Sequence, residues 1–370
     1  MAYFRRGVTR VVRVVRACAL LAVFAVPVLV GSPADALVFN VTNTDDSGPG
    51  SLRQALLDAE SDGGANTIEV QAGLGVIVAN SELAWCAGTT TINGNGIEID
   101  MNGSPRGLVA ECGGLVASQF IVTGVGGSIG DDAAPVMTQG GGIVLTDCNI
   151  TGNVVTVTSD DDAAGGVNSE GGGITLTTCT ITDNVATTQG GDSAGGVYSG
   201  GGGVTVFTSV ISRNSATSEG DGDSGGGIGS SGGGITVIES SVSSNSATTT
   251  AESGDDAGGG AHSDGGGVTF RDSTVNCNVA TANEDAGGAV NSEGGGVTVN
   301  GSDVIGNSAS STGGGMAENA FFTGGGPLTV GDDTTVSDDT SGCVEPPPPP
   351  PPPTPTPTPA PVVAAPRFTG

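Results

Sequence analysis

The sequence predicts an all-β fold: a right-handed parallel β-helix with three short strands and about 30 residues per coil, an N-terminal capping helix and a disordered Pro-rich tail. Three observations predict it. A run of glycines ending in an aliphatic residue recurs at Ile143, Ile174, Val204, Ile235, Val268 and Val297. Ten residues after each stands an asparagine: Asn153, Asn184, Asn214, Asn245, Asn278 and Asn307. Seven residues before each lies another small apolar side chain, in the series Val136, Val167, Val197, Ile228, Ala261 and Val290. This frame keeps its length, while the step from each asparagine to the next frame varies from 12 to 16 residues. A fixed frame with one elastic loop describes a solenoid in which each repeat is one structural unit.

Taken in order, residues 1–36 read as a secretion signal. Arg5, Arg6, Arg10, Arg13 and Arg16 form a basic region, Ala17 to Val30 is apolar, and Ala34-Asp35-Ala36 offers a cleavage site. The apolar stretch is 14 residues long and broken by Pro27, too short to span a bilayer, so no transmembrane segment is expected in the mature chain. Residues 37–115 lack the repeat and are expected to form a cap and irregular first coils. Phe39 to Thr44 reads as a strand, and Ser51 as the N-cap of a helix with Leu52, Ala55, Leu56 and Ala59 on one face. An open β-helix exposes an apolar cross-section and an unpaired edge, so this helix is expected to plug the first coil. Strands at Thr67–Val70, Val76–Ala79, Thr90–Asn93 and Ile97–Asp100 follow.

Residues 116–345 carry the repeats. Val204-Thr205-Val206 and its equivalents alternate with period two, as a strand buried on one face does. A second strand holds Ile150, Ile181, Ile211, Val242, Val275 and Val304, each three residues before the asparagine, and the third holds the Val136 series. Stacked about 4.8 Å apart, these strands make inward aliphatic ladders and an outward Thr175/Thr205/Thr236/Thr269/Thr298 ladder. The asparagines are expected at a turn, where Asn tolerates left-handed backbone and stacked amides bond along the axis; the glycines are expected at tight corners. The tail, residues 346–370, opens with a run of eight prolines (346–353) and a Thr-Pro alternation that ends at Pro361, 16 positions in all. That segment reads as a polyproline II spacer reaching about 50 Å.

The run from Phe39 to Leu56, FNVTNTDDSGPGSLRQAL, resembles the N-terminal cap of secreted bacterial right-handed β-helix proteins. Units such as GGVYSGGGGVTVFTSVISRN (195–214) resemble the polymorphic outer-membrane type of repeat, with its paired GGxI and FxxN motifs, although Ile or Val here replaces Phe. The resemblance implies an extracellular or cell-surface location and an adhesive role, with a surface glycan or cell-wall component as partner. It implies no catalytic site.

Charge narrows the partners. The ten basic residues are all arginine, five of them in the signal, and of the 39 acids only Asp35 precedes residue 37. The remaining chain has 38 acids and five arginines, a net charge near −33, which repels nucleic acid and anionic membranes. Much of the acid lies in the elastic loops, and calcium is the cofactor such loops favour, with Asp160, Asp161, Asp162, Asp221, Asp223, Asp255 and Asp256 as candidate ligands. The competing reading is a solvated acidic edge that keeps the chain soluble. Six cysteines follow the signal: Cys86, Cys112, Cys148, Cys179, Cys277 and Cys343. An even count in an exported chain points to disulfides. Cys86–Cys112 would staple the cap, whereas Cys148 and Cys179, at one rung position, either bond or fill the core.

The rival function is a calcium-assisted polysaccharide-active enzyme, a lyase or a glycoside hydrolase. Glu239 and Asp272 share one position on adjacent coils, as do Asp264 and Glu293, and Arg271 supplies a base; stacked carboxylates approach the separation of a retaining pair. His262, the single histidine, falls at an outward position shared with Asn168 and Asn291 and reads as surface filler, which also argues against zinc.

Overall fold

The computed structural model describes residues 36–250 and 255–343. The expected signal segment before residue 36 and the Pro-rich tail lie outside the described residues. The described residues form a parallel β-solenoid of about ten turns with about 30 residues per turn and, among them, one α-helix.

One coil shows the plan. Val167–Ser169, Ile174–Thr177, Thr180–Thr182, Val185–Thr188 and Ser193–Ala194 are its strands. The next coil pairs with it in parallel, Val167 with Val197, Ile174 with Val204, Ile181 with Ile211, Val185 with Ser215 and Ser193 with Ser224. The three expected strands are present, and two more occupy the segment read as an elastic loop. Their signal was the recurring Asn-x-Ala-Thr of Asn184, Asn214, Asn245 and Asn278. Its inward residue is alanine, too small to stand out as a hydrophobic period, yet Ala186, Ala216, Ala247 and Ala280 are fully buried.

The inward ladders are as expected: Ile174, Leu176, Ile181 and Val197 are buried and continue through one core cluster along the solenoid. The asparagine amides bond to one another along the axis as expected, but both backbone expectations need correction. The asparagines do not take left-handed backbone; the residue before them does, at Asp183 (φ 59°), Arg213 (55°), Ser244 (56°) and Cys277 (58°). Each asparagine instead points inward and is buried. Asn184 Nδ2 donates to Asn214 Oδ1 at 3.1 Å and to Ile150 O at 2.9 Å, while the Asn184 backbone N–H donates to the same Asn214 oxygen at 3.1 Å. The same pattern repeats from Asn214 to Asn245 and from Asn245 to Asn278. A buried amide is thereby saturated on every coil, as desolvation demands.

The glycine runs are also not left-handed corners. A Cβ on Gly202 would lie 2.6 Å from Gly173 N and 2.8 Å from its Cα, on the coil below. The coils approach so closely there that a methyl group has no room.

At the N-terminal end the helix Leu52–Asp62 forms as predicted, with the Ser51 side chain accepting from Gln54 N and Leu52, Ala55, Leu56 and Ala59 buried. Arg53 ties it down, donating to Glu82 O at 2.7 Å and to Asp46 Oδ1 at 2.8 Å. Thr90–Asp100 runs as one strand whose register shifts between Asn93 and Ile97. Cys86–Cys112 staples the early coils (Cα–Cα 4.8 Å), and Cys277–Cys343 ties down the last described residues (Cα–Cα 5.4 Å). Cys148 and Cys179 are free and buried, filling the place that Ser209, Ser240, Ser273 and Ser302 take in later coils. No helix among the described residues is long and apolar enough to cross a membrane.

Candidate functional site

The short strand Ser193–Ala194 and its equivalents from Ala163–Ala164 to Ala286–Gly287 are each preceded by an aspartate, and these acids stack. The Asp162 backbone N–H donates to Asp132 Oδ1 at 2.8 Å, and Asp192 N–H to Asp162 Oδ1 at 2.8 Å. The row continues with Asp223 to Asp192 at 3.2 Å, Asp256 to Asp223 at 2.8 Å and Asp285 to Asp256 at 2.6 Å. One carboxylate oxygen per coil is thus fixed by the backbone above it. The sequence carried the signal, since Asp162, Asp192, Asp223, Asp256 and Asp285 all lie five residues before the Val167-series apolar residue. Within a single coil these acids look like part of the elastic loop, and only their constant offset from the apolar residue marks a shared register.

Beside this row runs a second ladder, the middle residue of each three-residue strand: Met137, Asn168, Tyr198, Gly229, His262, Asn291 and Phe322. These side chains alternate with the core-facing residues, yet Asn168, Tyr198, His262 and Asn291 are at most 3 % exposed, because the two-residue strand of each coil, from Ala163–Ala164 to Ala286–Gly287, packs against them. Met137, Ala164, Ala194 and Tyr198 make a second apolar cluster there. Two residues further on stands a third ladder that includes Glu170, Ser231, Asp264 and Glu293.

Where the three ladders meet, two groups of carboxylates converge. Asp132, Asp162 and Glu170 form one, and Asp223, His262, Asp264 and Glu293 the other; within each, the ligand atoms lie within 4.8 Å of one another. Between them, Tyr198 Oη and Ser231 Oγ both donate to Asp192 Oδ2 at 2.8 Å. In the first group Asn168 Nδ2 donates to Glu170 Oε1 at 2.7 Å, while Asn168 Oδ1 is buried with no hydrogen-bond partner. Burial, reinforced by neighbouring acids, pushes Asp132 up to about 6, Glu170 up to about 7, and Asp162 well above the carboxylate range. In the second, burial pushes Glu293 up to about 9, with Asp256 adding to the shift. Burial alone would lower the His262 pKa, but Asp264 and Asp223 outweigh it and push it well above the ordinary imidazole value.

The expected site residues therefore separate. Asp160 and Asp221 are exposed, and Asp161 accepts from Ser159 Oγ at 2.9 Å. Asp162 and Asp223 enter different groups, Asp256 belongs to the stacked row, and Asp255 is 1 % exposed. A wholly solvated acidic edge is thereby corrected: the loop tips are solvated, but the stacked row is half-buried to buried. His262 is not surface filler either; its Nε2 lies 2.5 Å from Asp264 Oδ1 and 3.7 Å from Asp223 Oδ2. Glu239 and Asp272 sit at an exposed left-handed bend (φ 49° and 51°) between two strands. Arg271 is exposed, with Nε 3.8 Å from Asp272 Oδ2. The enzyme candidates thus lie on an open ridge, while Asp264 and Glu293, the other stacked pair, are drawn into the histidine group.

No protein-family model, curated protein or solved structure matches the chain significantly. The functional reading rests on its own residues.

Proposed function

We propose that this protein is a secreted or cell-surface structural and adhesive rod of the polymorphic outer-membrane repeat type, holding a surface glycan or cell-wall component rather than transforming it. The axial register carries this reading. The same ladders run from Leu115 to Leu328, so equivalent side chains repeat at even spacing along one face. Such a lattice fits a periodic or extended partner, and a net charge of −29 over the whole chain disfavours polyanions. Two disulfides support an oxidising compartment.

The test is expression of the full chain in an exporting host, followed by fractionation and a glycan array run beside a uronate-release assay, with and without calcium. Recovery outside the cytoplasm, with both disulfides formed and glycan held without turnover, is expected. Retention in the cytoplasm with reduced thiols would refute export. Release of uronate, lost in Glu239→Gln or Asp272→Asn, would replace the rod reading with the enzyme.

A further inference from the structure

The histidine group differs from every other position along the acidic row, and local contacts show why. On the preceding coil Asp192 is engaged by Tyr198 of its own coil. Asp223 has no such neighbour, because the middle position of its coil is Gly229. Its free oxygen instead faces His262 of the coil above, 3.7 Å away. On the far side Glu293 also lacks the partner its counterpart has. Asn168 donates to Glu170, but Asn291 turns aside and donates to Asp285 O at 3.0 Å. Glu293 Oε1 is left buried with no hydrogen-bond partner, as is His262 Nδ1. Three successive coils thus deliver one imidazole and three carboxylates to a single point.

We propose that Asp223, His262, Asp264 and Glu293 bind a divalent transition-metal cation of the zinc or manganese type. Four donors of one nitrogen and three oxygens match the number such an ion takes up, and with their ligand atoms within 4.8 Å of one another a single ion can reach them all. The imidazole sets this site apart from the all-oxygen Asp132/Asp162/Glu170 group, whose chemistry suits calcium or magnesium. An internal ion pair between His262 and its two aspartates accounts for those three residues but leaves the buried Glu293 oxygen unanswered. A cation at the centre satisfies it. His262 lies within a paired strand and Asp223, Asp264 and Glu293 each directly flank one, so the register of the strands positions the donors.

The test uses the full chain stripped with a chelator and titrated calorimetrically with zinc, manganese and calcium chlorides separately, alongside melting curves. His262→Asn is the main variant, because Asn168 and Asn291 fill the same ladder position in other coils and the fold accommodates them. Glu293→Gln is the second, and the pair Asp162→Asn with Glu170→Gln controls for the other group. The wild type is expected to take up one more equivalent of zinc or manganese than His262→Asn. At that equivalent both single variants should bind at least tenfold more weakly, while the control pair retains it. Zinc should raise the wild-type melting temperature and leave His262→Asn unmoved. Equal uptake and affinity in the wild type and a folded His262→Asn would overturn the site. So would binding of calcium alone, indifferent to His262. If His262→Asn does not fold, undiminished uptake by Glu293→Gln overturns it equally.

Discussion

Truncating one rung of the asparagine ladder, Asn214→Ala, should be among the most damaging single changes in the solenoid. Asn214 is 1 % exposed, and its side chain makes four hydrogen bonds. Its Oδ1 accepts from Asn184 N and Asn184 Nδ2, both at 3.1 Å; its Nδ2 donates to Ile181 O at 2.9 Å and Asn245 Oδ1 at 3.1 Å. Asn245 Oδ1 keeps the Asn214 backbone N–H, and Asn184 Nδ2 keeps Ile150 O. The Asn184 backbone N–H loses its acceptor inside the core, and alanine cannot supply one. With about 1 kcal/mol net for each of the other three bonds lost and about 1–3 kcal/mol for the buried donor stranded, the cost is roughly 4–6 kcal/mol. The comparison is Arg213→Ala, one residue away. Arg213 pairs with Asp183 at 2.7 Å in an exposed bidentate contact, worth no more than about 1 kcal/mol. Chemical denaturation followed by far-UV circular dichroism reads both, with hydrogen exchange at Asn184 separating a local opening from global loss. Equal costs for the two variants would refute the ladder as a stabilising element.

Three other outcomes follow from the same structure. Gly202→Ala should cost about 1–3 kcal/mol in denaturation, since the new methyl group meets the backbone of the coil below and that coil must shift; a neutral result would mean the coils are looser than described. Thr208, exposed at a left-handed bend with φ 47°, is a β-branched residue in strained backbone. Thr208→Asn should therefore stabilise by about 1 kcal/mol in the same assay, because Asn tolerates that conformation. In chelator, stability should fall as pH rises. Asp132 and Glu170 are pushed up to about 6 and about 7, so the folded state holds protons that the unfolded chain releases from about pH 4. The contribution is complete below that pH and is lost as pH climbs to about 7. The Glu170 part is roughly 3 kcal/mol at most, and Glu170→Gln should flatten the profile between pH 4 and 8.

Much of this was legible in the sequence, for a physical reason. Inward positions must be apolar on every coil, so Ile174, Ile181 and Val197 announce their period, and the Ser51 cap with Leu52 and Leu56 announces the helix. The two extra strands were hidden because Ala186 and Ala194 are small. The reasons behind the glycine and asparagine repeats lay in contacts between coils, which spacing within one coil does not show. The histidine group was hidden likewise. Asp223, Asp264 and Glu293 come from three coils, and only the register of Gly229 beneath His262 explains why they converge. His262 shares its ladder with Asn168 and Asn291, and that shared position concealed its enclosure by the neighbouring strand.

The central claim is that residues 30 apart in sequence lie one rung apart in space, and pulsed electron spin resonance measures this directly. Spin labels would be placed at Val144 and, in turn, at Thr269, Thr298 and Thr329, which are four, five and six rungs along one outward ladder. Cys148 and Cys179 would first be replaced by serine, as later coils have. At about 4.8 Å per rung the backbone separations should be about 19, 24 and 29 Å, with narrow distributions rising in equal steps. Distances that are broad, or that do not increase by one strand spacing per repeat, would contradict the solenoid and with it every site built on its register.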